Sequence, residues 1–279
     1  MKKFPPFVVC CMIFAISSGR SLAEQLPLWE AGMGAAGISF PHYRGADQQK
    51  NYLLPVPYVV YRGEFLRADR QRIRGLLFES NYAEIDVSQN GTVPVKSKNN
   101  LARTGMPDID PTLELGPSLN LKLMKSADQH NSMELRLPVR AVLASDFRRV
   151  HDRGWLFQPQ LAWDTADFMG KRDLNLGFTA GPVFANARYH QYIYGVTNAF
   201  ATATRPAYQG RGGYAGAQFT TALSRRFSDY WVGGFMKYDN LHGAVFEVSP
   251  LVKSKSGFSA GIAVVWVFAE SKTRVDPHK

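Results

Sequence analysis

The chain has 279 residues, of which 45% are hydrophobic and 20% charged, and its formal net charge is +10. The hydrophobic fraction is too high for a disordered chain, and the length allows one large domain or two ordinary ones. No apolar run in the body of the chain approaches the ~18 residues of a membrane-spanning helix, which argues against a helical membrane protein.

The N-terminal segment, residues 1–23, predicts a secretory signal peptide. Two lysines precede an apolar run over residues 7–16, and small residues before Ala23 suit cleavage after that position. The apolar run is about half the ~20 residues that cross a bilayer, which argues against a first transmembrane helix. Both cysteines lie inside this segment, so the exported chain contains no cysteine.

After the signal segment, apolar and polar residues alternate with a period of two in one segment after another. Successive side chains of a strand point to opposite faces, so each segment has one apolar and one polar face. In chain order, the predicted strands cover residues 28–40, 52–61, 64–69, 73–90, 112–125, 132–145, 155–168, 172–185, 213–227, 230–240 and 257–268. Three long stretches without alternation, 91–111, 187–212 and 241–256, are predicted to be loops.

Two architectures fit this alternation. In a soluble sandwich the apolar faces pack inward, whereas in an outer-membrane barrel they face lipid and the polar faces line the lumen. Segments of about 10 to 14 residues, aromatic residues at segment ends and the export signal favour the barrel. The predicted fold class is therefore all-β, a closed antiparallel transmembrane β-barrel over residues 24–268, followed by a polar C-terminal tail over residues 269–279.

Single-chain bacterial barrels have an even number of strands, which makes eleven segments one too few or one too many. We predict twelve strands, with ten as the alternative. The additional strand would come either from residues 188–196 or from dividing 73–90 in two. The residues expected to face lipid are Leu113, Leu121, Leu135, Leu137, Phe178, Ile262 and Trp266, and those expected to face the lumen are Glu114, Lys122, Glu134, Arg136 and Arg140.

Motifs of known enzymes do not fit the chain. Residues 32–37 match the G-x-G-x-x-G pattern of dinucleotide-binding folds, but an extended stretch follows instead of the required helix, which favours small residues of a strand. The six histidines lack metal-ligand spacing, and no G-x-S-x-G motif is present. We therefore predict no catalytic, cofactor or metal site, with a lipid-modifying hydrolase assembled from separate strands left as an alternative.

Two charged motifs have two interpretations each. Asp108 and Asp110, two residues apart, either hold a cation or form a rigid turn, and the turn is favoured because calcium needs six or more oxygen ligands. The arginine-rich stretch 62–74 either binds lipopolysaccharide phosphates or another anionic polymer, or is a solvated hairpin with local ion pairs. Binding to nucleic acid is not expected of an exported barrel.

Several stretches of the chain resemble the MipA/OmpV family. They are residues 55–58, 61–69 and 74–75, the block Gly105-Met106-Pro107-Asp108-Ile109-Asp110-Pro111 with its continuation to Ser118, and the later stretches 194–197 and 249–252. The resemblance implies an outer-membrane β-barrel without established catalytic residues. The possible interaction residues that match the motifs are Arg62, Gly63, Arg67, Asp69, Met106, Pro107, Asp108, Asp110 and Pro111.

The functional expectation combines the residues with this resemblance. One family member is described as a scaffold between a lytic transglycosylase and a penicillin-binding protein, and others as porin-like proteins or adhesins. We therefore expect a non-enzymatic outer-membrane scaffold or binding protein in contact with membrane lipid and lipopolysaccharide. A small-solute channel and a surface adhesin are the alternatives.

Overall fold

The computed structural model describes residues 26–62, 66–68, 73–146 and 148–275. The predicted signal peptide and its cleavage after Ala23 lie outside the described residues. The strands are β1 (Leu26–Pro27), β2 (Trp29–Pro41), β3 (Gln49–Arg62), β4 (Leu66–Ala68), β5 (Ile73–Glu79), β6 (Ala83–Thr92), β7 (Thr112–Lys125), β8 (Asn131–Ser145), β9 (Val150–Phe157), β10 (Gln160–Thr165), β11 (Leu174–Ala185), β12 (Gly213–Arg226), β13 (Tyr230–Asn240), β14 (Ser256–Glu270) and β15 (Arg274–Val275).

Segments β2 to β14 form a single antiparallel sheet in which neighbours in sequence are neighbours in space. Segments β9 and β10 both pair with β8 and are successive parts of one strand, interrupted at Gln158 and Pro159. The sheet therefore has twelve strands, as predicted. The twelfth strand comes from the division of 73–90 into β5 and β6. The last long strand, β14, pairs with the first, β2, over most of its length.

The other proposed source of a strand, residues 188–196, was wrong. This segment contains the helix α1 (Ala187–Tyr194). The Asn186 side chain caps the helix by accepting a hydrogen bond from the Tyr189 N–H, 3.1 Å away. Buried His190, Ile193 and Tyr194 follow at helical spacing, so the apolar residues form one face of a short helix.

Along much of the sheet, polar side chains lie inside the molecule and apolar side chains lie outside, apart from buried apolar clusters such as Tyr58, Val60 and Val265. On β7, Leu113 is 51% exposed while its neighbour Glu114 is 3% exposed, and the same alternation continues through Leu119 and Asn120. Soluble proteins bury apolar residues and leave charged ones in water. The arrangement is therefore the reverse of the soluble sandwich considered above.

The connections at the two ends of the sheet differ in length. Because the strands alternate in direction, segments 42–48, 93–111, 186–212 and 241–255 all leave the sheet at one end, here named the loop end. The opposite end, named the terminal end, carries both chain ends and short turns such as 126–130 and 227–229. All three predicted long loops thus lie together, a point that alternation along the sequence left open.

The C-terminal segment continues beyond the predicted end of the barrel. Strand β14 extends to Glu270, two residues past Phe268, and β15 then pairs with β1 at the terminal end. The Ser271 hydroxyl accepts a hydrogen bond from the Leu28 N–H at 2.9 Å. The described part of the expected tail, up to Val275, therefore joins the N-terminal segment.

Candidate functional site: the cap and the polar interior

The largest hydrophobic core lies at the loop end. We name as the cap the helix α1 with segments 42–48, 93–111, 195–212 and 241–255. Its centre is Phe246, which is fully buried, stacks on Tyr194 at 3.7 Å between ring centroids, and meets His190 edge-on at 4.8 Å. The buried apolar cap residues around this centre are Tyr43, Ala46, Val95, Ile109, Ile193, Val196, Leu241, Ala244 and Leu251.

His190 is a buried base within this core. Its Nδ1 contacts the Arg211 carbonyl oxygen. Burial lowers the pKa of His190 below its usual 6.5, with a further lowering by the positive charge of Arg44. The neutral ring is therefore the form that suits the packed cap.

The Met-Pro-Asp-Ile-Asp-Pro block folds segment 93–111 onto itself. The Asp108 carboxylate accepts a hydrogen bond from the Ser97 N–H at 2.7 Å and pairs with Lys96 at 2.9 Å. These contacts lower the pKa of Asp108, with the Lys96 contact as the largest cause. Val95 and Ile109 pair through their backbones in the same loop. The geometry thus favours the turn interpretation of this motif, and the described residues contain no cluster of three metal-ligating side chains.

Arg103 joins this segment to the helix. Its buried guanidinium donates hydrogen bonds to the carbonyl oxygens of Ile193 at 2.8 Å and Pro107 at 3.1 Å. The Asp110 N–H donates to the Tyr192 hydroxyl at 2.8 Å. Pro107 and Asp110 therefore position the loop against α1 through their backbone atoms. Sequence reasoning missed Arg103, because no local pattern marks one arginine of a loop as buried.

A second arginine ties two other parts of the cap together. Arg205 donates to the carbonyl oxygens of Ala102 and Thr104 at 3.0 and 2.9 Å, and to that of Phe200 at 2.9 Å. The Tyr194 hydroxyl donates to the Arg44 carbonyl oxygen at 2.9 Å, and the Ser249 hydroxyl donates to that of Tyr194 at 2.8 Å. These bonds connect segments far apart in sequence and make the cap one packed unit.

Beneath the cap, a series of hydrogen-bonded side chains, here named the polar belt, follows the interior wall. On one side, Arg140 pairs with Glu114 at 3.0 Å and donates to Gln158 at 2.7 Å. Asn90 donates to the same Glu114 carboxylate at 3.2 Å. Glu114 and Arg140, two residues predicted to face the lumen, are thus buried and paired with each other.

The belt continues onto strands β12 and β13. Gln158 donates to Gln218 at 2.6 Å, Gln218 donates to Asp239 at 2.8 Å, and Asp239 pairs with Arg44 at 2.7 Å. Arg44 belongs to segment 42–48, so the belt is joined to the cap. A buried ion is stabilised when opposite charges and hydrogen bonds satisfy it. Asp239 supplies the opposite charge for Arg44, while the buried Arg44 Nη2 has no hydrogen-bond partner among the described residues.

The other residues predicted to face the lumen also carry charged partners. Arg136 pairs with Glu134 at 2.9 Å and with Asp164 at 3.0 Å. Lys122 pairs with Glu79 at 2.9 Å nearer the terminal end. A cavity of about 400 Å³ lies next to Arg136 and Arg140. Its other polar lining residues include Asp86, Ser88, Asn90 and Ser118.

The first motif stretch lies at the other end of the molecule. Arg62 pairs with Glu30 at 2.7 Å and donates to the Pro27 carbonyl oxygen at 2.6 Å, which places it beside β1. Gly63 and Asp69 lie outside the described residues, and for Arg67 the structure describes only the backbone, which pairs with Arg62. The structure thus separates Arg62 from Met106, Asp108 and the rest of the second block, up to Pro111.

The glycine motif of residues 32–37 lies on β2, at its junction with β14. A Cβ atom on Gly34 would lie 2.0 Å from the Val264 carbonyl oxygen, and one on Gly32 would lie 2.4 Å from that of Trp266. At these two positions only glycine allows the strands to approach. The motif therefore serves strand pairing, in agreement with its interpretation as small residues of a strand.

Comparison with protein families decides the relationship of the chain. Residues 33–268 match the model of the family described as MltA-interacting protein MipA. The chain belongs to this family. The family resemblance inferred from the motifs is thereby confirmed. No curated protein sequence matches the chain.

Solved structures resemble this member of the MipA family only distantly. A NanC porin has 10% identity and a TM-score of 0.38, with 84% of this chain and 98% of the porin covered. OprB of Pseudomonas putida has 11% identity and a TM-score of 0.36, with coverages of 70% and 47%. The CymD monoaromatic hydrocarbon channel has 9% identity and a TM-score of 0.29, with coverages of 87% and 72%. Likeness at this level does not extend to what the chain binds or transports.

The helices in the described part of the chain are short. The one α-helix there, α1, has eight residues, and no helix in that part has the length and hydropathy to cross a bilayer.

Proposed function

We propose that this MipA family member is an outer-membrane β-barrel, closed by the pairing of β14 with β2 and sealed at one mouth by the cap. The circular order of strand pairing supports closure, because β2 and β14 each have partners on both sides. The reversed faces support a lipid environment, because apolar side chains cover the outside and ion pairs fill the inside. In this proposal the predicted lipid-facing and lumen-facing residues keep those roles.

The dimensions of β14 fit a membrane-spanning strand. Exposed aromatic residues, Phe258 near the loop end and Trp266 with Phe268 near the terminal end, point to the outside of the same strand. Phe258 and Phe268 are separated by roughly 26 Å along the barrel axis at ~3.4 Å per residue and a tilt of ~40°. This separation matches the ~25 Å apolar band between the aromatic girdles of outer-membrane barrels.

The unequal ends suggest an orientation. Outer-membrane barrels have short periplasmic turns and longer extracellular loops. By this rule the terminal end faces the periplasm and the cap faces outward. Periplasmic enzymes would then reach only the short turns and the joined chain ends β1 and β15, so a scaffold that acts through the three long loops no longer fits.

The function that this geometry supports best is non-enzymatic binding or scaffolding by a closed barrel. The single observation that carries it is the packed cap, in which Phe246, Leu241 and Leu251 are fully buried above a continuous polar belt. The family name supports contact with MltA, a lytic transglycosylase, and we place that contact at the terminal end. A contact with a penicillin-binding protein rests on the family resemblance alone.

Two measurements test this proposal. Planar bilayer recordings of the purified protein should show little or no stable conductance, whereas large, steady single-channel currents would favour the small-solute channel. Cross-linking from single cysteines in the turns 126–130 and 227–229 should capture a lytic transglycosylase in intact cells, with a cysteine at Val248 in the cap as the matched control. Capture from Val248 alone would refute the assignment of the contact to the terminal end.

A surface adhesin is the second candidate, favoured by the outer surface of the cap. Leu101 and Val248 are apolar, largely exposed and carried by a rigid base. Contiguous exposed apolar patches often mark contact sites, whereas a single exposed apolar residue is ordinary, so the double change to serine asks whether Leu101 and Val248 act together. Binding of whole cells to host or abiotic surfaces that is lost on changing Leu101 and Val248 to serine would favour this candidate over the scaffold.

A further inference from the structure

An apolar groove runs over the outer surface of strands β12, β13, β14 and β2. Its volume is about 890 Å³, and none of the lining residues that the structure describes carries a carboxylate. Its middle is formed by a row of residues paired across the strands, Leu223, Gly234, Ile262 and Gly37. Glycine has no side chain, so at two places in this row the backbone itself is the floor of the groove. The exposed side chains of Leu223 and Ile262 stand beside that floor.

The groove is open down to the backbone. A Cβ atom added to Gly37 would meet no heavy atom within 4 Å. One added to Gly234 would first meet the Gly261 carbonyl oxygen, at 3.1 Å. Hydrocarbon chains of lipid cover the outer surface of a barrel, and a groove left empty there would forfeit their dispersion contacts. The shape of this surface therefore suits an acyl chain that lies against the backbone.

One arginine lines the groove near the terminal end. Arg226, the next residue, points inward and pairs with Glu30 at 3.4 Å, so Arg225 points outward. The Arg225 guanidinium lies over the Phe227 ring, 5.0 Å from the ring centroid. In the part of the chain that the structure describes, this guanidinium has no hydrogen-bond or ion-pair partner. Its N–H groups are thus left for an acceptor from outside the protein.

The depth of Arg225 matches the level of lipid headgroups. Arg225 pairs with Val232, and the next outward residue of β13 towards the terminal end is Tyr230, which pairs with the exposed Trp266. Arg225 therefore lies roughly 7 Å along the strand from the aromatic residues at that end. An arginine side chain spans this distance and places its charge at the membrane interface. The anion present at that interface is the phosphate of a phospholipid, which a guanidinium binds through charge-assisted hydrogen bonds.

A second copy of the chain fits this groove less well than a lipid does. In a twofold contact the same surface of both copies is used, so each groove would face the other. Two Arg225 side chains would then be enclosed by apolar surfaces, and the described lining offers neither of them a carboxylate. Burying a charge without a partner is strongly unfavourable. Charge complementarity therefore favours a phospholipid.

We infer that the groove binds one glycerophospholipid of the leaflet at the terminal end. Its phosphate pairs with Arg225, and one of its acyl chains lies over Gly234 and Gly37. This inference rests on the proposed outer-membrane barrel, but not on any contact with cell-wall enzymes. By the orientation given above, the lipid belongs to the periplasmic leaflet, and its headgroup fixes the depth of this wall of the barrel in the membrane.

The test uses fluorescence quenching in detergent micelles, with a bimane label on a cysteine introduced into the cysteine-free exported chain. Phe178→Cys places the label beside Thr221 at the rim of the groove, and Leu119→Cys on β7 is the control outside it. Phe178 and Leu119 are both exposed, and each is the eighth residue of its strand counted from the loop end. The probes are dibromo-phosphatidylglycerol and a diacylglycerol with the same brominated chains, which lacks the phosphate.

The phosphate contact is tested by charge. Dibromo-phosphatidylglycerol should quench the label at position 178 saturably, at lipid fractions about tenfold lower than those needed at position 119. The affinity at 178 should fall about tenfold with the diacylglycerol or in Arg225→Gln, because a charged hydrogen bond is lost. Lys125→Gln, which removes an exposed cation at the same end of the sheet, is the matched control and should leave the affinity unchanged.

The acyl-chain contact is tested by filling the groove. Gly37→Leu places a side chain in the open space and should reduce quenching at position 178 to the level at 119. Ala35→Leu adds the same bulk two residues away on the same outer face, outside the lining, and should leave the quenching at 178 unchanged.

Three outcomes would overturn the inference: equal quenching by the two lipids, equal quenching at the two positions, or an unchanged affinity in Arg225→Gln. Tighter binding of lipid A would overturn the assignment to a phospholipid. A dimer that forms without phospholipid and is lost in Gly37→Leu would assign the groove to a second copy. A brominated maltoside detergent checks the barrel separately, because it should quench both labels in every variant if both positions face hydrocarbon. Absence of that quenching would refute the barrel itself rather than the lipid site.

Discussion

Replacement of Phe246 with alanine removes the central side chain of the cap. Phe246 is fully buried, stacks on Tyr194 and contacts His190. A buried Phe→Ala change costs about 3–5 kcal/mol through lost transfer free energy and the cavity left behind. Since each 1.4 kcal/mol is tenfold in an equilibrium, the population of opened cap should rise about 10²- to 4 × 10³-fold.

Hydrogen exchange measures this opening directly. The N–H groups of Val196 and Tyr208 donate to each other's carbonyl oxygens inside the cap, at 2.8 and 2.9 Å. Their protection should fall by the factor just given in Phe246→Ala, while that of the β14 amides should stay constant. Val248→Ala, two residues away and 82% exposed in the wild type, is the matched control and should exchange as the wild type does. Unchanged protection of Val196 and Tyr208 in Phe246→Ala would refute the description of the cap as one cooperative unit.

The remaining predictions concern the belt, the junction of β2 with β14, and the buried histidine. Arg140→Met leaves the buried Glu114 carboxylate without the Arg140 guanidinium. The free energy of unfolding from lipid vesicles should fall by about 3–5 kcal/mol. The double variant Arg140→Met with Glu114→Leu should restore most of this loss. Gly34→Ala should block assembly in vesicles, because the added Cβ would lie 2.0 Å from a carbonyl oxygen of β14. Gly37→Ala should assemble normally, because no heavy atom lies within 4 Å of the added Cβ. Equal yields of the two variants would contradict this prediction. Burial lowers the pKa of His190 below 6.5, so at low pH the unfolded loop binds a proton that the packed cap does not. Cap stability should therefore be constant above about pH 6.5 and fall below it. Exchange of the cap amides should lose this pH dependence in His190→Phe, and a slope that persists would assign it to another group.

Strand positions and faces could be derived from local pattern. The predicted bounds 112–125 and 230–240 agree with β7 and β13, because a period of two depends only on the alternation of neighbouring side chains. The start of β9 was less accurate: it begins at Val150, five residues before the predicted 155. His151, Asp152 and Arg153 break the apolar alternation there, yet backbone pairing with β8 extends the strand beyond its apolar part.

The family motifs could be found in the sequence, but their physical roles could not. The pair Asp108 and Asp110 suggested a turn or a cation site, and the contacts of Asp108 with Ser97 and Lys96 became visible only in the folded loop. Likewise, Arg103 and His190 have no local signal, since their burial results from segments that approach from more than 20 residues away.

The sequence by itself determined that this protein is built of amphipathic strands whose apolar faces must contact an apolar environment, because side-chain alternation is a property of each segment alone. Only the tertiary structure decided that the three long loops meet at one end and that residues 188–196 contain a helix. It also decided that Arg140 pairs with Glu114. These features depend on strand register and on packing between segments that are distant in sequence. The local pattern permits many such contacts equally well and therefore does not predict which of them form.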